Sequence, residues 1–115
     1  MGLFDDGASL AIGSALDSVA LRQRVSADNI ANAMTPGYRA QKVDFESALQ
    51  SAVASGDPGA ATASVSDTDA AAREDGNNVE IDAETMTLSK ADLQYQALTQ
   101  AMNFKLSVLS TALKG

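Results

Sequence analysis

The groups in this chain that could do chemistry crowd into one short stretch, Asp75-Gly76-Asn77-Asn78, where acids and amides stand side by side. Calcium is the natural ligand to test. An EF-hand loop beginning at Asp75 places its obligatory glycine on Glu80 and its bidentate acid on Met86, so the loop fails as a calcium site. The chain has no Cys and no His, which removes thiol nucleophiles, disulfides, zinc–cysteine sites and the usual general base. No pair of carboxylates sits at a recognisable catalytic spacing, and no glycine loop suits a phosphate. The sequence therefore carries no catalytic residues, no metal site and no cofactor-binding residues. A second pair of amides, Asn29 and Asn32, falls near the end of an apolar helix pattern, where such side chains reach the free carbonyls of a helix end or of a neighbouring chain. Chemistry of that kind positions a chain and leaves covalent bonds untouched.

The elements that must position these amides follow from periodicity. A first helix is expected from about Gly7 to Ala33, with Ile12, Leu16, Val19, Ala20, Ala27, Ile30 and Met34 on one face. Asp5 and Asp6 precede it and suit the positive end of its dipole. Pro36 pushes Thr35 toward extended backbone, so the helix stops there, and Pro36-Gly37 is a turn dipeptide with Tyr38 as an aromatic anchor behind it. Arg39 to Val43 reads as extended. Asp44 then resembles an N-cap for a short helix carrying Phe45, Leu49 and Val53. Residues 55–78 are small, polar and aperiodic, and are expected to form a flexible loop. Asp82 is the expected N-cap of a final helix from Ala83 to Leu113, about 45 Å long.

That last helix is apolar on two sides. Leu88, Ala91, Tyr95, Leu98, Met102, Leu106, Leu109 and Leu113 form one stripe, while Met86, Leu93, Ala97, Ala101, Phe104 and Val108 form another about 140° away at roughly 100° per residue. One stripe can bury itself on the first helix. The second has no evident partner within the chain, and either the short helix around Phe45 covers it in a three-helix monomer or other subunits do. With 115 residues, enough for one domain and a modest core, other subunits are the better match. Aromatic residues make up only 4%, so burial depends on aliphatic and alanine contacts that bring helices close together.

A formal net charge of −7, with basic residues scattered except for Arg22 and Arg24, argues against a nucleic-acid surface. No apolar run is long enough to span a membrane. The opening Met-Gly-Leu-Phe-Asp-Asp carries acid where a secretory signal carries positive charge, and Asp6 stands where a myristoylation signal needs Ser or Thr. Any departure from the cytoplasm is expected to proceed without a cleaved signal peptide.

The stretch Ser26-Ala27-Asp28-Asn29-Ile30-Ala31-Asn32-Ala33-Met34-Thr35-Pro36-Gly37-Tyr38-Arg39 resembles the N-terminal signature of bacterial flagellar axial proteins, the rod, hook and hook-associated subunits. Within it, Asn29, Asn32, Thr35, Pro36, Gly37 and Tyr38 match the family motif, whereas Met34 stands where Asn is usual. Val43-Asp44-Phe45-Glu46, Asp75-Gly76-Asn77-Asn78-Val79, and Tyr95-Gln96-Ala97-Leu98 leading into Met102-Asn103-Phe104-Lys105-Leu106 extend the likeness over about two thirds of the chain. Without an inserted domain, the chain is most similar to the short proximal-rod members. Phe4 and Ala8 match the family's export signal only loosely.

The resemblance implies an all-α fold, with long N- and C-terminal helices packed as a coiled-coil-like pair, a short middle helix and a flexible polar loop. It implies one structural domain, divided as 1–35 N-terminal axial helix, 36–54 turn and short helix, 55–78 loop and 79–115 C-terminal axial helix. Ile12, Leu16, Val19 and Ile30 are expected to pack against Leu88, Tyr95, Leu98, Met102 and Leu109. Leu93, Ala97, Phe104 and Val108 are expected at subunit interfaces. Implied partners are copies of the chain itself, other flagellar rod proteins, the rod adaptor to the inner-membrane ring and the flagellar export apparatus. The implied location is the periplasmic rod of the basal body, where the protein transmits torque. A stand-alone helical adaptor or secretion chaperone would share the composition, but has no need of the Thr-Pro-Gly-Tyr turn.

Overall fold

The computed structural model of the chain describes residues 6–114, so the expectations attached to Phe4 and Asp5 lie outside the described residues. In chain order the elements are α1 (Gly7–Ala31), β1 (Gln41–Asp44), α2 (Glu46–Ala54), a 3-10 turn (Pro58–Ala60), β2 (Ser64–Asp67) and α3 (Ile81–Lys114). The molecule measures 64 × 27 × 15 Å, a rod in its own right, because two long helices set its length and little is stacked on them.

Helix α1 begins where Asp6 accepts a hydrogen bond from the Ser9 amide at 2.6 Å, satisfying one free donor of the first turn. It ends at Ala31, two residues before the expected Ala33. There the Asn32 side chain turns back onto the Asp28 carbonyl at 2.8 Å and Ala33 tightens onto Ile30, so local polar bonds replace the next helical turn. Helix α3 starts at Ile81, ahead of the expected cap Asp82, and places Asp82 and Glu84 in its first turn, where the helix dipole favours them. At 1.5 Å per residue α3 is about 51 Å long and α1 about 37 Å.

The two long helices run antiparallel and share the largest interface in the structure. Their direction is marked by cross-links from Arg22 to Gln94, Gln23 to Asp92 and Asp6 to Lys105. The seam's most buried residues are Ala15 and Val19 on α1 and Ala91, 0% exposed, on α3, whereas the buried Ser18 lines a recess with Gly59, Ala61 and Thr62. Small side chains let helix axes approach closely. Residues of α3 beyond Lys105 extend past Asp6, the N-cap of α1.

The expectation of an all-α fold with a flexible loop over 55–78 needs correction. β1 and β2 pair antiparallel, Val43 opposite Val65, and the 3-10 turn packs on α1. The polar segment finds order by lending backbone to a neighbouring strand, which needs no large side chains. Helix α2 also departs from expectation. It begins one residue after Phe45, with Asp44 Oδ1 accepting from the Ser47 amide at 3.3 Å, and it leans on the 3-10 turn. Phe45 is buried and Val53 exposed, and α2 leaves the outer side of α3 open, so the three-helix arrangement does not form.

Candidate functional site

The amides singled out by the sequence meet at the junction where the chain leaves α1. Asn29 is 0% exposed. Its Nδ2 donates to the Gln41 carbonyl at 2.7 Å, while its Oδ1 accepts from the Gln41 amide at 3.1 Å and from the Tyr38 hydroxyl at 3.4 Å. A side-chain amide thereby occupies the edge of β1 as a neighbouring strand would. Asn32 Oδ1 accepts from Thr35 Oγ1 at 3.1 Å, closing the turn ahead of Pro36. Gly37 takes φ 77°, a left-handed conformation that glycine reaches without strain. Tyr38 rests half-buried against a small apolar cluster of Ala33, Ala40 and Val79. The six motif residues are thus brought together.

Across the junction lies the Asp75–Asn78 turn, which the sequence marks as a turn without revealing what it holds. Gly37 N donates to the Asp75 carbonyl at 2.8 Å. Asn77 Nδ2 donates to the carbonyls of Asn32 and Thr35, both at 2.8 Å, and Asn77 Oδ1 accepts from Val79 N at 2.8 Å. Asn78 Oδ1 accepts from Ala40 N at 2.6 Å, and its Nδ2 donates to Thr68 Oγ1 and the Ala70 carbonyl. Asp75 Oδ1 accepts from the Asn77 amide at 3.0 Å, which employs the acid in shaping the turn. Arg73 donates to the Ala33 carbonyl at 2.7 Å and to the Val79 carbonyl at 2.8 Å, setting a positive charge at the negative end of α1. Sequence reasoning missed Arg73, Asn77 and Asn78 as ties. The adjacent amides of Asn77 and Asn78 after a Gly turn were the available signal, and nothing local marks Arg73.

Arg22 forms a second polar centre, donating to the Val43 carbonyl at 3.0 Å and to Glu46 at 2.8 Å. The Arg22 hydrogen bond holds the Glu46 carboxyl at about 2, well below the usual carboxylate range, with partial burial opposing the shift. Asp6 is also lowered to about 2, first by its hydrogen bond from Lys105 and then by the Ser9 amide. Among the described residues no group of three or more acids, Cys or His is placed to hold a metal ion. Nor is any described helix long and apolar enough to cross a membrane.

The two stripes of α3 have different surroundings. On the inner side Leu88, Leu98, Met102 and Leu109 are half-buried, as are Ile12, Leu16 and Ile30 of α1, with Val19 buried; Tyr95 lies at the rim, 39% exposed. On the outer side Leu93 is 67% and Phe104 68% exposed, and Ala97 and Val108 are exposed with them. Beside this outer side, an apolar groove of about 320 Å³ opens where α1, α2 and α3 meet, lined by Ala15, Val19, Phe45, Leu49, Ala97 and Leu98, with Arg22, Glu46 and Gln94 also contributing to its walls.

The chain matches no protein-family model. It is 33% identical over 128 aligned positions to the flagellar basal body rod protein FlgB of Bacillus subtilis, covering 100% of this chain and 98% of that protein. The protein of that name from Aeromonas hydrophila is 35% identical over 82% of this chain and 83% of its own length. That of Cereibacter sphaeroides is 33% identical over 82% and 84%.

Proposed function

The chain belongs to the FlgB family of flagellar basal body rod proteins and is a structural subunit of that rod, and on this premise we propose that it works by helix-to-helix assembly in the proximal rod and transmits torque. In this reading the α1–α3 pair lies in the rod wall. Leu93, Ala97, Phe104 and Val108 meet neighbouring subunits, which are copies of the chain, other rod proteins and the rod adaptor to the inner-membrane ring. The chain reaches the periplasm through the flagellar export apparatus, and it needs neither catalysis nor a cofactor. The junction fixes the angle at which residues 38–80 leave the helical pair. Nothing among these relatives favours a stand-alone adaptor or chaperone.

The observation that carries this reading is the division of α3 into an apolar stripe packed on α1 and an apolar stripe facing outward. A helix with two apolar faces demands two partners, and the described residues supply one. Phe104→Ala tests it. The variant is expected to be exported normally but to yield no rods and no motility, since removing a ring buried at an interface costs about 3–5 kcal/mol. Full motility with normal rods would overturn the assignment of the outer stripe.

A further inference from the structure

Resting on the rod-subunit reading, we infer that the receptor for Phe104 of one copy is the groove between α1, α2 and α3 of the next copy. The groove is an apolar recess of about 320 Å³, with Ala15, Val19 and Ala97 supplying small side chains where a bulky one would fit. Phe104 is the most exposed aromatic residue on α3, at 68%, and no described residue covers it. It cannot fill the groove of its own chain. Seven residues separate it from Ala97 on one continuous helix, an axial distance of about 10 Å that the helix cannot fold away.

Charge points to a second copy as the occupant. With a net charge of −7, copies of this chain repel one another unless they meet through neutral patches. Both surfaces are neutral. At the groove the charges are Arg22 and Glu46, paired at 2.8 Å, with Gln94 beside them. Beside Phe104 the charge is Lys105, paired with Asp6 at 2.8 Å, and the flanking residues Asn103 and Ser107 are uncharged. Docking therefore leaves no charge without its partner. Because knob and groove are different patches, one copy can receive a neighbour's Phe104 while inserting its own into a third copy, and in a rod the contact is head-to-tail. Such a contact propagates from copy to copy and does not close on itself as a twofold dimer does.

A volume exchange tests this in cells that build flagella from the full-length chain. Ala97→Phe fills the groove and Phe104→Ala removes the knob; each alone is expected to lower the amount of chain in purified basal bodies by at least about tenfold. Every copy of the double variant carries a filled groove and a shortened knob. Its incorporation is expected to return to within about threefold of the unaltered protein, the non-additivity that two touching sites show. A double variant no better than the worse single variant, while the unaltered chain is found in basal bodies, overturns the knob-in-groove contact and leaves the rod-subunit reading standing. An unaltered chain absent from basal bodies overturns both.

Discussion

Asn29→Ala probes the junction most directly. The asparagine side chain makes two well-formed bonds to the backbone of Gln41, at 2.7 and 3.1 Å, and a longer one from the Tyr38 hydroxyl at 3.4 Å. Each of the first two contributes about 1 kcal/mol net, and their loss leaves the Gln41 amide and carbonyl facing α1 with incomplete hydration. Gln41 itself is exposed, so water compensates in part and the sum is about 2–3 kcal/mol. This corresponds to a roughly 30- to 150-fold loss of amide-exchange protection across residues 38–44, within the limit set by the protection of the unaltered chain. The assay is hydrogen exchange read by mass spectrometry, with a protecting osmolyte present for both proteins. Asn29→Asp sharpens the test, because a carboxylate keeps the acceptor but sets an oxygen against the Gln41 carbonyl unless it is protonated. Its folded pKa must then rise above the ordinary value near 4, so its stability falls as pH rises from about 4 toward that higher pKa. Unchanged protection at 38–44 in the Ala variant, or an Asp variant equally stable at low and neutral pH, would refute the strand-mimic role of Asn29.

Three further outcomes follow from the same geometry. Gly76→Ala forces a left-handed residue at φ 85° and brings a Cβ to 3.2 Å from Gly37 Cα, so it should lower stability by about 1–3 kcal/mol in thermal unfolding, more than Gly37→Ala, whose Cβ meets open space. Arg73→Ala should loosen exchange protection in both 33–38 and 77–81, and Arg73→Lys should restore only part of it, since one ammonium replaces a fork that spans the Ala33 and Val79 carbonyls. For Glu46 the folded pKa of about 2 lies below the ordinary 4.5. Its pairing with Arg22 therefore stabilises above pH 4.5, and that contribution is lost as pH falls toward 2. With a side chain 63% exposed the contribution is a few tenths of a kcal/mol, and it should disappear from the pH profile in Glu46→Gln and shrink with added salt.

The long helices were legible because a period repeated over 25 and 34 residues outweighs any single position. The two-sided character of α3 came from the same count. The strands were not legible in full. Arg39 to Val43 reads as extended behind the turn and overlaps β1, but Ser64-Val65-Ser66-Asp67 has one apolar residue among four and no alternation to separate it from loop. What makes it a strand is its partner, 20 or so positions earlier in the chain. The junction divides in the same way. Thr35, Pro36 and Gly37 announce a turn through their own backbone preferences, whereas the roles of Asn77 and Arg73 depend on carbonyls some 40 residues away. The start of α2 is not legible, because Phe45 shares the i, i+4, i+8 spacing of Leu49 and Val53 although the helix begins at Glu46. The buried ring instead belongs to the approach to the helix, and Val53 is left facing solvent.

The separation between Asn32 and Asn77 also orders events in time. Helix α1 can form as soon as its own residues are free, because its hydrogen bonds are local, but the turn behind it is tied by groups that arrive 45 positions later. A chain delivered N-terminus first through a narrow passage thus keeps its exit from α1 unlatched until the Asp75–Asn78 turn has also emerged. The same delay protects against premature locking. A half-delivered chain has no completed junction to unfold, and the last helix, α3, follows directly behind the latch in the chain.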